Sequence, residues 1–135
     1  MKLELTKKQF RRLLDMVYIG NWILNSTREN DRFADYDEVE SLLFARCPEE
    51  GMSVLTEESE GVAFPSRAFV EGGIHEAIMD YEDAVFFEIL AEELARRDML
   101  REALPQDDIN ELRERMNDYI SEFEKHGTDN INIEV

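Results

Sequence analysis

The sequence contains a single cysteine, Cys47, two histidines and one tryptophan among its 135 residues. One cysteine excludes an intramolecular disulfide and gives no support for secretion. So few cysteines and histidines also make a zinc site a poor explanation for the chain. Neither a glycine-rich phosphate loop nor a Gly-x-Ser-x-Gly motif occurs. We therefore expect no cofactor, and we expect Cys47 to be a small core residue.

Long hydrophobic runs are also missing. No apolar stretch approaches the length of a membrane span, and no signal-type segment follows Met1. Hydrophobic residues still make up 43% of the chain, which is close to the content of ordinary globular proteins. These features predict a folded, soluble, cytoplasmic protein in which residues 1–135 form a single domain.

Positive charge is scarce and unevenly placed. The chain has 15 Lys and Arg against 32 Asp and Glu, a net charge of −17. Residues 1–28 hold six bases and two acids, whereas the remaining 107 residues hold nine bases and thirty acids. Direct binding to nucleic acid or to an anionic membrane is disfavoured, because it requires clustered Lys and Arg. We expect a protein partner instead, although adaptation to salt and the helix preference of Glu explain the same acidity.

Helical periodicity dominates the sequence. The segment Thr6-Lys7-Lys8-Gln9 has the form of a capping box and predicts that a first helix begins there. Beyond Met16 this helix is apolar nearly all round, which predicts that its second half is central to the core. Further helices are predicted at about 31–47, 67–80 and 84–102, and a fifth is predicted from a cap at Asp107 to Gly127. The Gly72-Gly73 pair weakens the third helix and makes Ile74 its alternative start, and the acids at 80–83 indicate a junction before the fourth.

Alternating polar and apolar residues at the two chain ends predict two short strands. They cover residues 2–5 and 131–135, and we expect them to pair, since neither could bury its apolar side alone. Residues 48–70 contain two prolines, two glycines and several acids, which predicts an irregular acidic loop, with a short strand at Met52–Leu55 as the alternative for part of it. The predicted fold is mainly α: a single-domain bundle of four to five helices, with a small two-stranded sheet formed by the N- and C-terminal segments.

The first candidate site is a basic cluster on the first helix. Lys8, Arg11 and Arg12 share one side of that helix with Asp15, at spacings of three and four residues. Such a patch can dock an acidic partner or an anionic ligand. A solvated helix face that offsets the acidic body is the simpler explanation.

The second candidate is a polar stripe on the otherwise apolar half of the same helix. It consists of Tyr18, Asn21, Asn25 and Arg28, with Trp22 beside them. Buried amides require hydrogen-bond partners. A bound ligand could supply these partners, but a structural network with the backbone or with the acids at 35–40 is the commoner arrangement.

The third candidate is an acidic cluster around one histidine. Glu71 and His75 lie one helical turn apart, and Glu76, Asp80 and Asp83 follow them. Carboxylates with a histidine can bind manganese, iron or magnesium. A metal-binding or small-ligand-binding helical protein, or a hydrolase, is therefore the alternative function. The Glu-x-x-His pairs of carboxylate di-iron bundles do not occur.

The leading interpretation is a non-enzymatic acidic module that binds another protein through its acidic surface or its basic first helix. Acids are dense at 29–60, where Asp35, Asp37, Glu38 and Glu40 fall on the predicted second helix. Carboxylates spaced along a helix can imitate phosphates, so the partner could be a nucleic-acid-binding protein. A homodimer completed by the terminal strands or by the region of Trp22 is a further alternative.

Overall fold

The computed structural model describes residues 1–134 and shows a mainly helical protein with a small antiparallel sheet. Within these residues, four helices of more than ten residues carry most of the chain, which confirms that the fold is mainly helical. The elements in chain order are α1 (Lys7–Asn25), α2 (Ala34–Phe44), β1 (Thr56–Ser59), β2 (Val62–Pro65), the single turn α3 (Arg67–Phe69), α4 (His75–Arg101) and α5 (Ile109–His126).

The start of α1 is fixed by the capping box that the sequence predicts. The hydroxyl oxygen of Thr6 accepts a hydrogen bond from the backbone N–H of Gln9 at 3.2 Å. The side-chain oxygen of Gln9 accepts in return from the N–H of Thr6 at 2.9 Å. Two of the four unpaired N–H groups at the helix start are thereby satisfied.

The second half of α1 is not buried all round, contrary to the expectation from its apolar composition. One face of the helix is buried, and it carries Phe10, Leu14, Tyr18, Asn21 and Asn25. Met16 and Ile23 are exposed on other sides of the same helix. The polar stripe, not the apolar residues around it, therefore faces the interior.

The sheet is a central hairpin, so the predicted origin of its strands at the chain ends is not confirmed. Residues 2–5 and 131–134 form no strand, and Val135 lies outside the described residues. Strands β1 and β2 pair antiparallel, with Thr56 opposite Pro65 and Ser59 opposite Val62. The intervening residues Glu60 and Gly61 both have positive φ, 52° and 79°, as in the two-residue turns that suit the twist of a hairpin. Part of the predicted irregular loop at 48–70 is thus regular structure, but the alternative strand at Met52–Leu55 is wrong, because Ser53–Leu55 forms a 3-10 turn.

The break between α3 and α4 lies beside Gly72-Gly73, close to the alternative helix start predicted at Ile74, and not at the junction expected at 80–83. A π-helical turn over residues 70–74 contains Gly73 at φ 109°, outside the helical region. Helix α4 then runs without interruption from His75 to Arg101, through the acids at 80–83 where a junction is expected. Charged residues are compatible with a helix interior, whereas a positive φ is not, and this explains the difference.

Two other helix ends differ by a few residues from the prediction. Helix α2 ends at Phe44, before Pro48, and Phe33 occupies its N-cap position without a side-chain hydrogen bond. Asp108, not Asp107, caps α5 by accepting from the N–H of Glu111 at 3.1 Å. The end of α5 agrees with the prediction, because Gly127 at φ 55° follows the last turn.

The chain divides into two compact units, each with its own buried core. The first unit covers Met1–Ile78, and the second begins at Met79. The first core consists of Phe10, Leu14, Tyr18, Phe44, Cys47, Ala63, Phe69 and Ile78. The second core consists of Ala95, Met99 and Leu112. Cys47 is fully buried, as expected, and burial raises the pKa of its thiol. A single domain over the whole chain stays a prediction.

None of the helices within residues 1–134 combines the length and the hydropathy that crossing a membrane requires.

Candidate functional site

Asn25 is the centre of the polar stripe and is buried to 1% exposure. Its side-chain oxygen accepts from the N–H of Phe33 at 2.8 Å, and its amide nitrogen donates to the carbonyl of Phe33 at 3.1 Å. The same nitrogen donates to the side-chain oxygen of Asn21 at 2.7 Å. This amide therefore holds the residue before α2 against the last turn of α1, as the structural network proposed for the stripe would do.

Asn21 extends this network to α2. Its amide nitrogen donates to Asp37 at 3.0 Å. Arg32 donates to both oxygens of the same carboxylate, at 2.7 and 3.1 Å, and also to the backbone carbonyl of Asn25 at 3.3 Å. The hydrogen bonds from Arg32 hold the pKa of Asp37 below its usual value, against the opposing effect of burial.

Tyr18 and Trp22 form an aromatic wall with His75, the first residue of α4. The Tyr18 hydroxyl lies 2.6 Å from Nε2 of His75. The His75 ring meets the Trp22 ring nearly at right angles, with centroids 4.7 Å apart. Burial, and then the nearby charge of Glu40, raise the pKa of Tyr18.

These side chains enclose a cleft between α1 and α2, which we call the α1–α2 cleft. Its volume is about 260 Å³, and it is lined by Tyr18, Asn21, Trp22, Asn25, Ser26, Arg32 and Glu40. Four of the five residues predicted as a ligand site thus line one cleft. Arg28 does not line it, because its guanidinium donates to the carbonyl of Leu24 and to Asp31 and lies 4.3 Å from the centroid of Phe33.

Glu40 is the half-buried acid of the α1–α2 cleft. Burial raises its pKa, an effect that the Asn21 amide and Arg32 partly offset and Asp37 reinforces. Within residues 1–134, Glu40 takes part in none of the salt bridges, whereas its neighbour Asp37 is paired with Arg32 at 2.7 Å. Glu40 is predicted from the sequence as a surface interaction residue, whereas in the structure it lines the cleft.

A second depression lies on the other side of α2, against the hairpin, and we call it the acidic groove. Its volume is about 460 Å³. The lining residues are Asp37, Glu38, Ser41, Leu42, Ala45, Glu58, Gly61, Val62 and Ala63. Leu42 is 64% exposed and Val62 is 54% exposed, so the apolar part of this groove is accessible.

The acidic groove joins two of the predicted interaction residues to residues of the hairpin, of which Glu58 belongs to the acid-rich stretch 29–60 and Val62 is not singled out by the sequence. Asp37 and Glu38 are on its rim, and Asp35 is exposed in the first turn of α2. Glu58 and Val62 come from the hairpin. Only recognition of the Glu60–Gly61 turn would have placed them there, since that turn sets the register of both strands.

The basic cluster of α1 separates into inward and outward members. Arg11 pairs with Asp15 at 2.5 Å, and its guanidinium carbon lies 4.9 Å from the centroid of Phe69. Arg12 is exposed and meets the same carboxylate at 3.2 Å. Lys8 is exposed. Arg11 therefore serves packing, and only Lys8 and Arg12 present charge to the outside.

The residues of the predicted metal site do not converge. Glu71 pairs with Arg67 at 2.7 Å, and His75 is engaged by Tyr18 and Trp22. Glu76, Asp80 and Asp83 are exposed along α4. Across residues 1–134, no group of three or more His, Cys, Asp and Glu side chains is close enough to hold a metal ion.

The second unit contains a further depression of about 460 Å³, next to the contact between α4 and α5. Arg115 donates from its two terminal nitrogens to Glu102 at 2.9 and 2.6 Å, and from Nε to Glu111 at 2.6 Å. Tyr119 donates to Asp98. These side chains pair with one another and connect α5 to α4. Structural contacts therefore account for them without a ligand.

Comparison of the chain with family models, with curated proteins and with solved structures gave no match. Function must therefore be inferred from the geometry of the α1–α2 cleft and the acidic groove. The cleft is small and bordered by a hydrogen-bond network, whereas the groove is wider and carries exposed apolar side chains. The two surfaces differ in the kind of molecule that each can bind.

Proposed function

We propose that this protein is a non-enzymatic interaction module whose acidic groove binds a basic segment of another protein. The observation that carries the proposal is an accessible apolar strip, Leu42 and Val62, bordered by the carboxylates of Asp37, Glu38 and Glu58. Apolar contact supplies most of the affinity at protein interfaces. The surrounding acids steer a basic partner and exclude acidic ones.

The groove has fixed walls, and a rigid groove is better suited to recognising a partner than a mobile surface is. Helix α2 packs against β2, and the hairpin is closed by its own register from Thr56–Pro65 to Ser59–Val62. On the far side, Asn21 and Arg32 hold α2 through Asp37. A partner that enters the groove therefore meets a preorganised site, and preorganisation lowers the entropic cost of binding.

The chemistry of the groove defines the partner as a segment with Lys or Arg around one or two apolar side chains. Imitation of nucleic acid is a more specific form of the same proposal, in which the partner is a nucleic-acid-binding protein. Exposed acids on α2 and the hairpin support it: Asp35, Glu38, Glu57, Glu58 and Glu60. Leu42 and Val62 supply an apolar contact that a phosphate backbone does not offer.

The test is affinity capture with two matched variants, from a lysate of the source of the protein. Val62→Arg places a cation in the groove, whereas Val54→Arg makes the same change at a valine that is 68% exposed and lies outside it. We expect one stoichiometric partner that the unchanged protein and Val54→Arg retain and that Val62→Arg loses. Circular dichroism of both variants checks that each is folded.

Salt and competition then separate the two forms of the proposal. A partner displaced by added DNA and lost steeply with salt supports nucleic-acid mimicry. A partner retained at high salt supports an interface dominated by the apolar strip. Capture of the same proteins by Val62→Arg and by the unchanged protein would contradict binding at the groove, and absence of any stoichiometric partner would contradict the proposal as a whole.

A further inference from the structure

We propose that the α1–α2 cleft binds an organic ammonium ion, by placing Glu40 against the positive nitrogen and the rings of Trp22 and Tyr18 around its alkyl group. This inference concerns a different face of α2 from the acidic groove and does not depend on the function proposed for the groove. It rests on three features of the cleft: its charge, its aromatic wall and its rigid frame.

The cleft region contains one carboxylate more than it has cationic side chains. Arg32 and Asp37 pair with each other through two hydrogen bonds, so their charges cancel locally. Glu40 lines the same cleft, and it has no salt-bridge partner within residues 1–134. A half-buried carboxylate without a cation is costly, because burial removes the water that would otherwise solvate it. A ligand cation would supply the missing partner.

An anionic ligand fits the cleft less well, although Arg32 lines it. The guanidinium already donates from Nε and from both terminal nitrogens, to Asp37 and to the carbonyl of Asn25. An anion would have to displace Asp37 and would then face two unpaired carboxylates. Neighbouring negative charges oppose the binding of an anion, so the cleft selects for a positively charged ligand.

Aromatic side chains form the remaining wall. Trp22 is partly exposed, and its ring is stacked with Tyr18 at a centroid distance of 6.3 Å. Aromatic faces attract organic cations, and tryptophan does so most strongly. The cleft volume of about 260 Å³ limits the occupant to a small molecule or to the end of a longer chain.

The frame of the cleft is held by hydrogen bonds within the protein. Asn25 and Asn21 join α1, the segment before α2 and α2 itself through four of them. His75 holds the ring of Tyr18 through the contact of its Nε2 with the Tyr18 hydroxyl and through an edge-to-face contact between the two rings. A ligand therefore orders few protein groups when it binds, and the lower entropic cost favours the binding of even a small ligand.

The experiment uses the complete purified protein and propylammonium chloride as the probe. Because Trp22 is the only tryptophan, its fluorescence and its indole N–H signal in a ¹H–¹⁵N spectrum report on the cleft directly. We expect a saturable change with a Kd on the order of 1–10 mM, as a ligand of so few atoms allows. Sodium chloride at the same ionic strength and 1-propanol, which has the same chain without the charge, should give no saturable change.

Two variants with the same loss of charge complete the test. Glu40→Gln should weaken binding about tenfold or more, since a charge-assisted contact is lost. Glu29→Gln, at an exposed acid that lines neither the cleft nor the groove, should bind like the unchanged protein. An equal response in Glu40→Gln, an equal response to 1-propanol, or no saturable change at all would overturn the proposal. The comparison of the two probes on the unchanged protein decides the matter even if Glu40→Gln does not fold.

Discussion

At the scale of single residues, the hydrogen bonds of Asn25 give the polar stripe of α1 a structural role. Its fully buried amide satisfies both backbone groups of Phe33 and the side chain of Asn21. Asn25→Ala would leave these groups unpaired inside the protein. We expect a loss of about 2–4 kcal/mol in the free energy of unfolding, measured by urea denaturation.

Asn117→Ala provides the matched control, because Asn117 is exposed on α5. Its effect should stay within about 0.5 kcal/mol. If Asn25→Ala were equally mild, the bonds of Asn25 would not stabilise the fold, and the stripe would be better explained by a ligand than by a structural network.

Glu40 makes stability depend on pH in a direction opposite to that of most carboxylates. Burial raises its pKa in the folded protein above the ordinary value of 4.5, so the folded state holds the proton more tightly than the unfolded state. The ionised carboxylate of Glu40 therefore destabilises the folded protein at neutral pH. This destabilisation is lost as the pH falls through the raised pKa of the folded state to below 4.5. Asp37, Arg32, Tyr18 and Asn21 are the groups that face it.

Glu40→Gln removes this dependence. We expect the variant to be more stable than the unchanged protein at pH 7, with a difference that shrinks as the pH is lowered and vanishes below the unfolded pKa. Thermal melts of both proteins across this range measure the difference. A variant that is less stable at pH 7 would show that the negative charge of Glu40 is stabilising in the fold.

At the scale of elements, Gly73 lies inside the π-helical turn that separates α3 from α4. Its φ of 109° is one that L-residues rarely adopt, although a Cβ there would meet no atom within 4 Å. Gly73→Ala should therefore destabilise the protein by about 1–3 kcal/mol through backbone strain alone. Gly72→Ala is the matched control, since that position has open space and no positive φ.

We expect Gly72→Ala to be neutral or slightly stabilising, because alanine restricts the unfolded chain. Urea denaturation of both variants gives the comparison. Equal effects of the two substitutions would mean that the kink before α4 can straighten, and the position of His75 beside Tyr18 and Trp22 would then not be fixed by Gly73.

The start of α1 and the end of α5 could be predicted because each has a local signal. The capping box at Thr6 and the C′ glycine at Gly127 mark real helix ends. The hairpin could not be found in the same way. Its strands have four residues each, and their alternation is no clearer than that of residues 2–5 or 131–134, which form no strand. The turn at Glu60–Gly61 distinguishes the true strands, and it is a weaker signal than Asn-Gly or Asp-Gly.

At the scale of the whole molecule, the candidate site could be predicted only as far as it lies on one helix. The spacing of Tyr18, Asn21 and Asn25 on α1 places them on one face, and they do line a common cleft. Glu40 and Arg32 join them through tertiary packing, which no local pattern encodes. The acidic groove depends in the same way on the packing of α2 against β2. The acids at 35–40 are named from the sequence as partners for the stripe, and Asp37 is hydrogen-bonded to Asn21. The places of Arg32 and Glu40 in the cleft, in contrast, follow only from the fold.

Because the net charge of the protein is −17, we expect its stability to depend on the salt concentration. With 32 acids and 15 bases, ion pairing can neutralise fewer than half of the carboxylates. The remaining charges repel one another, and this repulsion destabilises the compact state. Salt shortens the range of the repulsion from about 10 Å at 0.1 M to about 3 Å at 1 M.

We therefore expect the melting temperature to rise by several degrees between ~0.02 M and ~0.5 M sodium chloride and then to level off, because screening is nearly complete at that point. Differential scanning calorimetry at pH 7 measures the rise. Screening also weakens the local ion pairs on α1, α4 and α5, but such exposed pairs contribute little each. A melting temperature that falls with salt would show that these pairs outweigh the general repulsion. A rise that continues linearly beyond ~0.5 M would point to ion exclusion from the protein surface instead of screening.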